Sequence, residues 1–389
     1  MNALIRLVRR PIFLLLILSA LLLSACGSRV ASVNWPGLST DGEKLYLANG
    51  PTVSVYNADD QTLAWQYPTP EEANGRVSFY AAPSVQDNRV VFGDYGAAGG
   101  ILSPKVTVSV YARENIDNGG TPPETPGWTA SEVAFDKIVA PPLQVGDVVY
   151  VGTADNLVLA LNATNGELIW QFEAGHSIWG QPAYKGGKLY VASLDRSLHA
   201  LDAQTGEELW ETEFEGAIAS RPVLNESLVY IGEFGSQVHA VDAETGSIVW
   251  SAPAENWVWG APAYDGGAVY YADIDGNVYA VDAQTGESRW QAQAAGAVQT
   301  SPLVVDGVVY VASEGESSED QVSAGELSAF NASNGERLWR QVTPAPLFTA
   351  PVNVENAVVV AMQSESAVLS AYDLKSGAPL WNIAPPSQG

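Results

Sequence analysis

A unit of forty residues recurs along this chain, and recurrence at that length marks a fold assembled from repeats. Four copies are plain: Ala160-Leu-Asn-Ala-Thr-Asn-Gly-Glu-Leu-Ile-Trp170, Ala200-Leu-Asp-Ala-Gln-Thr-Gly-Glu-Glu-Leu-Trp210, Ala240-Val-Asp-Ala-Glu-Thr-Gly-Ser-Ile-Val-Trp250 and Ala280-Val-Asp-Ala-Gln-Thr-Gly-Glu-Ser-Arg-Trp290. Weaker copies end at Trp339 and Trp381, and degenerate ones at Trp65 and Trp128. A second marker is a proline ahead of an apolar run, at Pro36, Pro83, Pro142, Pro182, Pro222, Pro262, Pro302 and Pro351. In the four regular units from Pro142 to Pro262 each proline precedes its tryptophan by 28 residues, whereas the second unit is stretched to 45 and carries insertions. Two independent markers agree on eight units, with seven as the alternative.

Within a unit the sequence reads as four short strands. In Pro302-Leu-Val-Val-Asp-Gly-Val-Val-Tyr-Val-Ala312 two β-branched runs flank Asp306-Gly307, a two-residue hairpin signal. Asp41-Gly42, Gly186-Gly187 and Gly266-Gly267 stand at the same place elsewhere. A second hairpin follows, as in Ala272-Asp-Ile-Asp-Gly-Asn-Val-Tyr-Ala280. The third turn places Asn57, Asn162, Asp202, Asp242, Asp282, Asn331 or Asp373 eight residues before the tryptophan. A short side-chain oxygen there accepts the backbone N–H two residues on, closing an Asx-turn. The glycine four residues before the tryptophan supplies a positive φ. The tryptophan then begins the outer strand and buries its ring between neighbouring sheets, where loss to alanine costs about 3–5 kcal/mol. Nothing after the amino-terminal segment has helical periodicity. The expected fold is all-β: an eight-bladed β-propeller of four-stranded antiparallel blades, spanning 34–389. Radial packing buries both faces of every blade and protects its edges.

The Ala-x-Asp-x-x-Thr-Gly-x-x-x-Trp element resembles the tryptophan motif of the PQQ-type, or quinoprotein, propeller repeat. The resemblance covers nearly everything after Asn34 and carries two very different implications. Quinoprotein dehydrogenases hold a quinone over calcium in the central channel, and many cap it with a disulfide between adjacent cysteines. This chain has no cysteine after Cys26, and those enzymes' calcium ligands map onto no position here. The other branch is similar to the family of the outer-membrane-protein assembly factor BamB, non-catalytic lipoproteins with an eight-bladed propeller of about this length. That likeness implies a protein-binding scaffold in membrane or cell-envelope protein assembly, with no catalytic residue, cofactor or metal. Small-molecule or sugar sensing is the alternative, and quinone-dependent dehydrogenation the remote one.

The amino terminus agrees with a lipoprotein. Basic Arg6, Arg9 and Arg10 precede the apolar run Ile12 to Leu23, and Leu23-Ser-Ala-Cys26 follows. This is the order of a secretory signal, too short to span a bilayer comfortably. Leu-Ser-Ala-Cys resembles the bacterial lipobox, which implies a signal peptide over 1–25, lipidation of Cys26 and a short tether over 26–33. Seven extended residues reach only about 25 Å, so the propeller rides close to its membrane. Gly27 is not the aspartate that retains lipoproteins at the inner membrane of enteric bacteria. The expected location is therefore the periplasmic face of an outer membrane, or the outer face of the cytoplasmic membrane where no outer membrane exists. The net charge of −26 repels phosphate backbones and excludes nucleic acid as a partner. The expected partners are membrane-associated proteins, bound by a monomer.

Other candidate chemistry reduces to structure. His199 and His239 hold one position of successive units, so repetition spreads them around a ring rather than converging them on a metal. Asp273-x-Asp275-Gly-Asn277 looks like half a calcium loop, but Asp195 and Asp155 occupy the same turn, and a hairpin explains all three. The acidic run 314–320 reads as a solvated loop, with weak calcium binding as the alternative.

One pattern is free to carry function. Three residues before each proline stand Val33, Tyr80, Val139, Trp179, Ala219, Trp259, Gln299 and Phe348. One residue before it stand Trp35, Ala82, Pro141, Gln181, Arg221, Ala261, Ser301 and Ala350. The turn into the innermost strand lies around the channel mouth. Tyr80, Trp179, Trp259 and Phe348 are therefore candidates for an aromatic binding mouth, with Gln181, Arg221 and Gln299 as polar contacts.

Overall fold

The computed structural model describes residues 35–69, 77–96, 107–117, 119–121, 127–315 and 324–385. Cys26, the signal segment, the tether and most of the acidic run 314–320 lie outside the described residues. Thirty-two strands run from Gly37 to Ile383 and group, in strict chain order, into eight four-stranded antiparallel sheets. No helix occurs among the described residues. Blades 1 to 8 span 37–67, 84–134, 143–173, 183–213, 223–253, 263–293, 303–343 and 352–383. Each marker proline immediately precedes the first strand of its blade, and these first strands adjoin one another around the centre.

Closure follows from counting cores. An open row of eight blades has seven interfaces, and this chain has eight apolar clusters, each between two consecutive blades. The eighth joins Val354, Val359 and Ala371 of blade 8 to Leu38, Leu45 and Leu47 of blade 1. The Thr349 hydroxyl donates across the same seam to the carbonyl of Pro36. Because every blade is built from consecutive strands, this seam is held by side-chain packing and not by an exchanged strand.

The local turn chemistry explains the strand order. Asp306 and Gly307 both have positive φ, 50° and 75°, as the tight hairpin requires. Blade 1 differs: its turn is three residues long, with the Asp41 carboxylate accepting from the N–H groups of Glu43 and Lys44 at 2.9 and 2.7 Å. The expected Asx-turns form at Asn162, Asp202, Asp242, Asp282, Asn331 and Asp373, as where Asp202 accepts from the N–H groups of Gln204 and Thr205 at 2.9 Å each. Asn57 does not follow them. Its amide donates to Thr62 and Asp117, and Gln61, at φ 60°, takes the place of the glycine.

The repeat tryptophans stand mostly third in the outer strand, as Trp170 does in Leu168–Glu173, rather than first. Only Trp128 begins its strand. Each clasps the following blade. Trp128, Trp170, Trp250, Trp290 and Trp339 donate their indole N–H to carbonyls of Ala163, Ala203, Ala283, Ala332 and Leu374. Trp65 is fully buried, and Trp381 packs at the seam between blades 8 and 1. The indole N–H groups of Trp65 and Trp210 are buried without a partner. A Cβ on Gly206 would lie 2.6 Å from the Trp170 ring. The turn glycine is thus required twice, for its φ of 76° and for the ring of the preceding blade.

Candidate functional site at the channel mouth

In an antiparallel meander the second turn of each blade and the connection to the next blade lie on one face. The residues ahead of each proline therefore gather at one end of the channel. Trp179, leading into blade 4, meets Trp259, leading into blade 6, with ring centroids 6.3 Å apart. Trp259 meets Trp35 of the blade 1 lead-in edge-on at 6.1 Å, and Trp35 meets Phe348 of the blade 8 lead-in at 5.7 Å. Blades 4 and 8 are diametrically opposed in a ring of eight, so this chain of rings passes over the channel. All four rings are half-buried. The indole N–H of Trp35 is buried without a partner.

The row continues outward. Phe234, in the second turn of blade 5, packs on Trp259 at 4.9 Å and stacks on Trp257 at 5.2 Å with an interplanar angle of 20°. Trp257 is 46% exposed, so the apolar row reaches open surface. Sequence reasoning missed Trp35, Phe234 and Trp257 as members. Trp35 shares the register position of Arg221, which was its available signal. Phe234 lies in a different turn and had none.

The remaining candidates are dispersed. Tyr80 packs edge-on against Tyr95 at 5.1 Å, and the Lys137 ammonium stands 4.8 Å from the Tyr95 ring centre. The Gln181 amide donates to the Pro142 carbonyl at 2.7 Å and the Gln299 amide to Glu314 at 2.6 Å. Both are committed to neighbouring backbone or side chains. Arg221 leads into blade 5, the blade that the Trp179–Trp259 contact spans. It is open to solvent, yet crowding by the surrounding ring of protein lowers its pKa through desolvation. A guanidinium stays protonated at any physiological pH.

Asp273 is fully buried and its oxygens are occupied. They accept from the Tyr279 hydroxyl at 2.8 Å, from the Asn277 amide, and from the backbone of Glu255, Asp275 and Asn277. A cation there would have to displace these donors. The one cluster with metal-ligating atoms close together among the described residues is His199, Glu208 and Glu211, within 4.8 Å of one another. His199 Nδ1 lies 2.7 Å from Glu208 and Nε2 3.3 Å from Asp195, while the ring packs on Phe172 of the preceding blade. Burial opposes a charged ring, but hydrogen bonds to Asp195 and Glu208 outweigh it, and the His199 pKa is raised. A proton on His199 satisfies this arrangement. His239 is its counterpart in the next blade, between Ser251 and the buried Glu233 and against Phe214.

Eight tryptophan-clasped blades around an aromatic mouth define a PQQ-like β-propeller. The sequence profile of the family described as outer membrane protein assembly factor BamB matches residues 125–180, 173–256 and 234–388. The chain belongs to that family. Its fold is similar to that of BamB from Moraxella catarrhalis, at 20% identity over 89% of this chain and 96% of that one, with a TM-score of 0.65. It is equally similar to the computationally designed Ika8 protein, at 18% identity over 90% and 96% of the two chains, with a TM-score of 0.66. At these identities the likeness is one of fold. No curated protein matches the sequence.

Proposed function

We propose that the protein is a non-catalytic, lipid-anchored scaffold at the periplasmic face of the outer membrane, which binds membrane-associated proteins during their assembly. Family membership supports the role, and the row of rings from Trp179 to the exposed Trp257 carries the reading of where partners bind. Aromatic side chains supply large contact area with few rotatable bonds to immobilise. The anchor on Cys26 keeps the mouth near the membrane and raises the effective concentration of a membrane-embedded partner.

The test is capture of cross-linked partners from the envelope by tagged protein. Wild type is expected to retain a discrete membrane protein that the Trp179→Ala/Trp259→Ala variant loses while keeping its cooperative unfolding. Normal capture by that variant would show the mouth to be packing alone. Cys26→Ser is expected to move the protein to the soluble fraction, and retention at the membrane would refute the anchor.

A further inference from the structure

Among the described arginines, Arg221 alone has no hydrogen-bond, ion-pair or ring partner. Arg196, Arg289 and Arg340 pair with carboxylates, Arg89 binds Gln144, Arg113 lies on Tyr67, and Arg337 binds the Gln293 carbonyl. This isolation stands out in a chain with 44 aspartates and glutamates. Nor is Arg221 an ordinary surface cation. Surrounding protein disfavours its charge through desolvation. A crowded guanidinium without a counterion keeps its five N–H donors for something that arrives from outside.

Its surroundings define what that is. Trp179 leads into blade 4 and Trp259 into blade 6, on either side of the blade that Arg221 leads into, and their ring centroids lie 6.3 Å apart. From there Phe234 and Trp257 extend the apolar row to open surface in steps of 4.9 and 5.2 Å. A small anion would use the guanidinium and leave this row uncovered. A strand-like chain rises about 3.3 Å per residue, so a few residues of extended peptide cover it.

Resting on the reading of the mouth as a protein-binding site, we propose that it recognises an extended partner segment by an Asp or Glu side chain docked on Arg221 and an adjoining aromatic side chain packed on Trp179 and Trp259. The planar guanidinium fork matches a carboxylate with two parallel N–H···O bonds and cannot form that pair with an amide. The acidic field of the whole chain does not forbid this. Exposed charges farther than about 8 Å are largely screened at physiological salt.

The probe is a pool of acetylated, amidated hexapeptides in which one Asp or Glu adjoins a Phe, Tyr or Trp, measured by equilibrium dialysis against the whole protein. Binding is expected, and the matching Asn or Gln pool should bind about tenfold or more weakly, as loss of a charge-assisted pair implies. Arg221→Gln should abolish the difference between the pools, and Arg221→Lys, which keeps charge without the fork, should leave an intermediate one. Equal retention of the acid and amide pools by wild type would overturn the proposal without recourse to any variant. Retention of benzoate or inorganic phosphate as strong as that of the acidic pool would overturn it in favour of a small-anion site. In envelope capture, Arg221→Gln should weaken partner retention. Normal retention by Arg221→Gln with loss in Trp179→Ala/Trp259→Ala would sink the carboxylate and leave the scaffold standing, and normal retention by both would sink both.

Discussion

The indole nitrogen of Trp170 donates to the carbonyl of Ala203 across a blade boundary, at 3.1 Å. The same oxygen accepts from the Tyr150 hydroxyl at 2.9 Å. Both donors belong to blade 3, and the acceptor follows the Asx-turn residue of blade 4. The motif that shapes a turn within one blade is therefore also the socket for its neighbour. Inter-blade cohesion rests on repeated clasps of this kind.

The clasp at the next boundary is single. Tyr190 donates to the Ala243 carbonyl at 3.1 Å, while the Trp210 indole N–H has no partner. Tyr150→Phe leaves Ala203 still bonded to Trp170 and should cost about 1 kcal/mol or less, whereas Tyr190→Phe orphans a buried carbonyl and should cost about 1–3 kcal/mol. Urea unfolding midpoints of the two variants decide the order, and equal midpoints would remove the distinction.

Gly206 and Gly186 separate strain from collision. Both have positive φ, 76° and 59°, but only a Cβ at Gly206 meets a ring, since nothing lies within 4 Å at Gly186. Gly186→Ala should cost roughly 1–2 kcal/mol for the left-handed backbone. Gly206→Ala should cost that plus about 1–3 kcal/mol of overpacking against Trp170. Calorimetric melting of both variants measures the gap.

His199 should link stability to pH. Its pKa in the folded protein is raised, the bonds from Asp195 and Glu208 outweighing burial. Its contribution is therefore fully present below the ordinary histidine value of about 6.5 and is lost as pH rises through the higher folded value. Wild type should exceed His199→Gln in stability at pH 5.5 by more than at pH 9. A difference that grew with pH would contradict the assignment.

Asp273 should be a turn anchor and not a calcium ligand. Asp273→Asn points an amide at groups that already donate and should destabilise by about 1–3 kcal/mol. Calcium at millimolar concentration, followed by chelator, should leave the wild-type melting temperature unchanged. A calcium-dependent rise that Asp273→Asn abolishes would reverse this reading.

Much of the fold is legible because each repeat carries its own instructions. Asp202 and Gly206 shape their turn through bonds and dihedrals within five residues, and Pro182 and Trp210 mark the ends of the same blade. The candidate site is less legible. Trp179, Trp259 and Phe348 are visible as large rings where the repeat demands none, but Tyr80 looks the same in sequence and lies apart with Tyr95. Trp35 and Phe234 join the row from other register positions.

The chain by itself determines the number of blades, the order of strands and the chemistry of each turn, because these depend on neighbours along the backbone. Which rings meet over the channel, which arginine is left without a counterion, and how blade 8 seals against blade 1 depend on closing eight blades into one ring. Closure brings together Trp35 and Phe348, more than three hundred residues apart. No local preference encodes that distance; the packing geometry of the complete ring decides it.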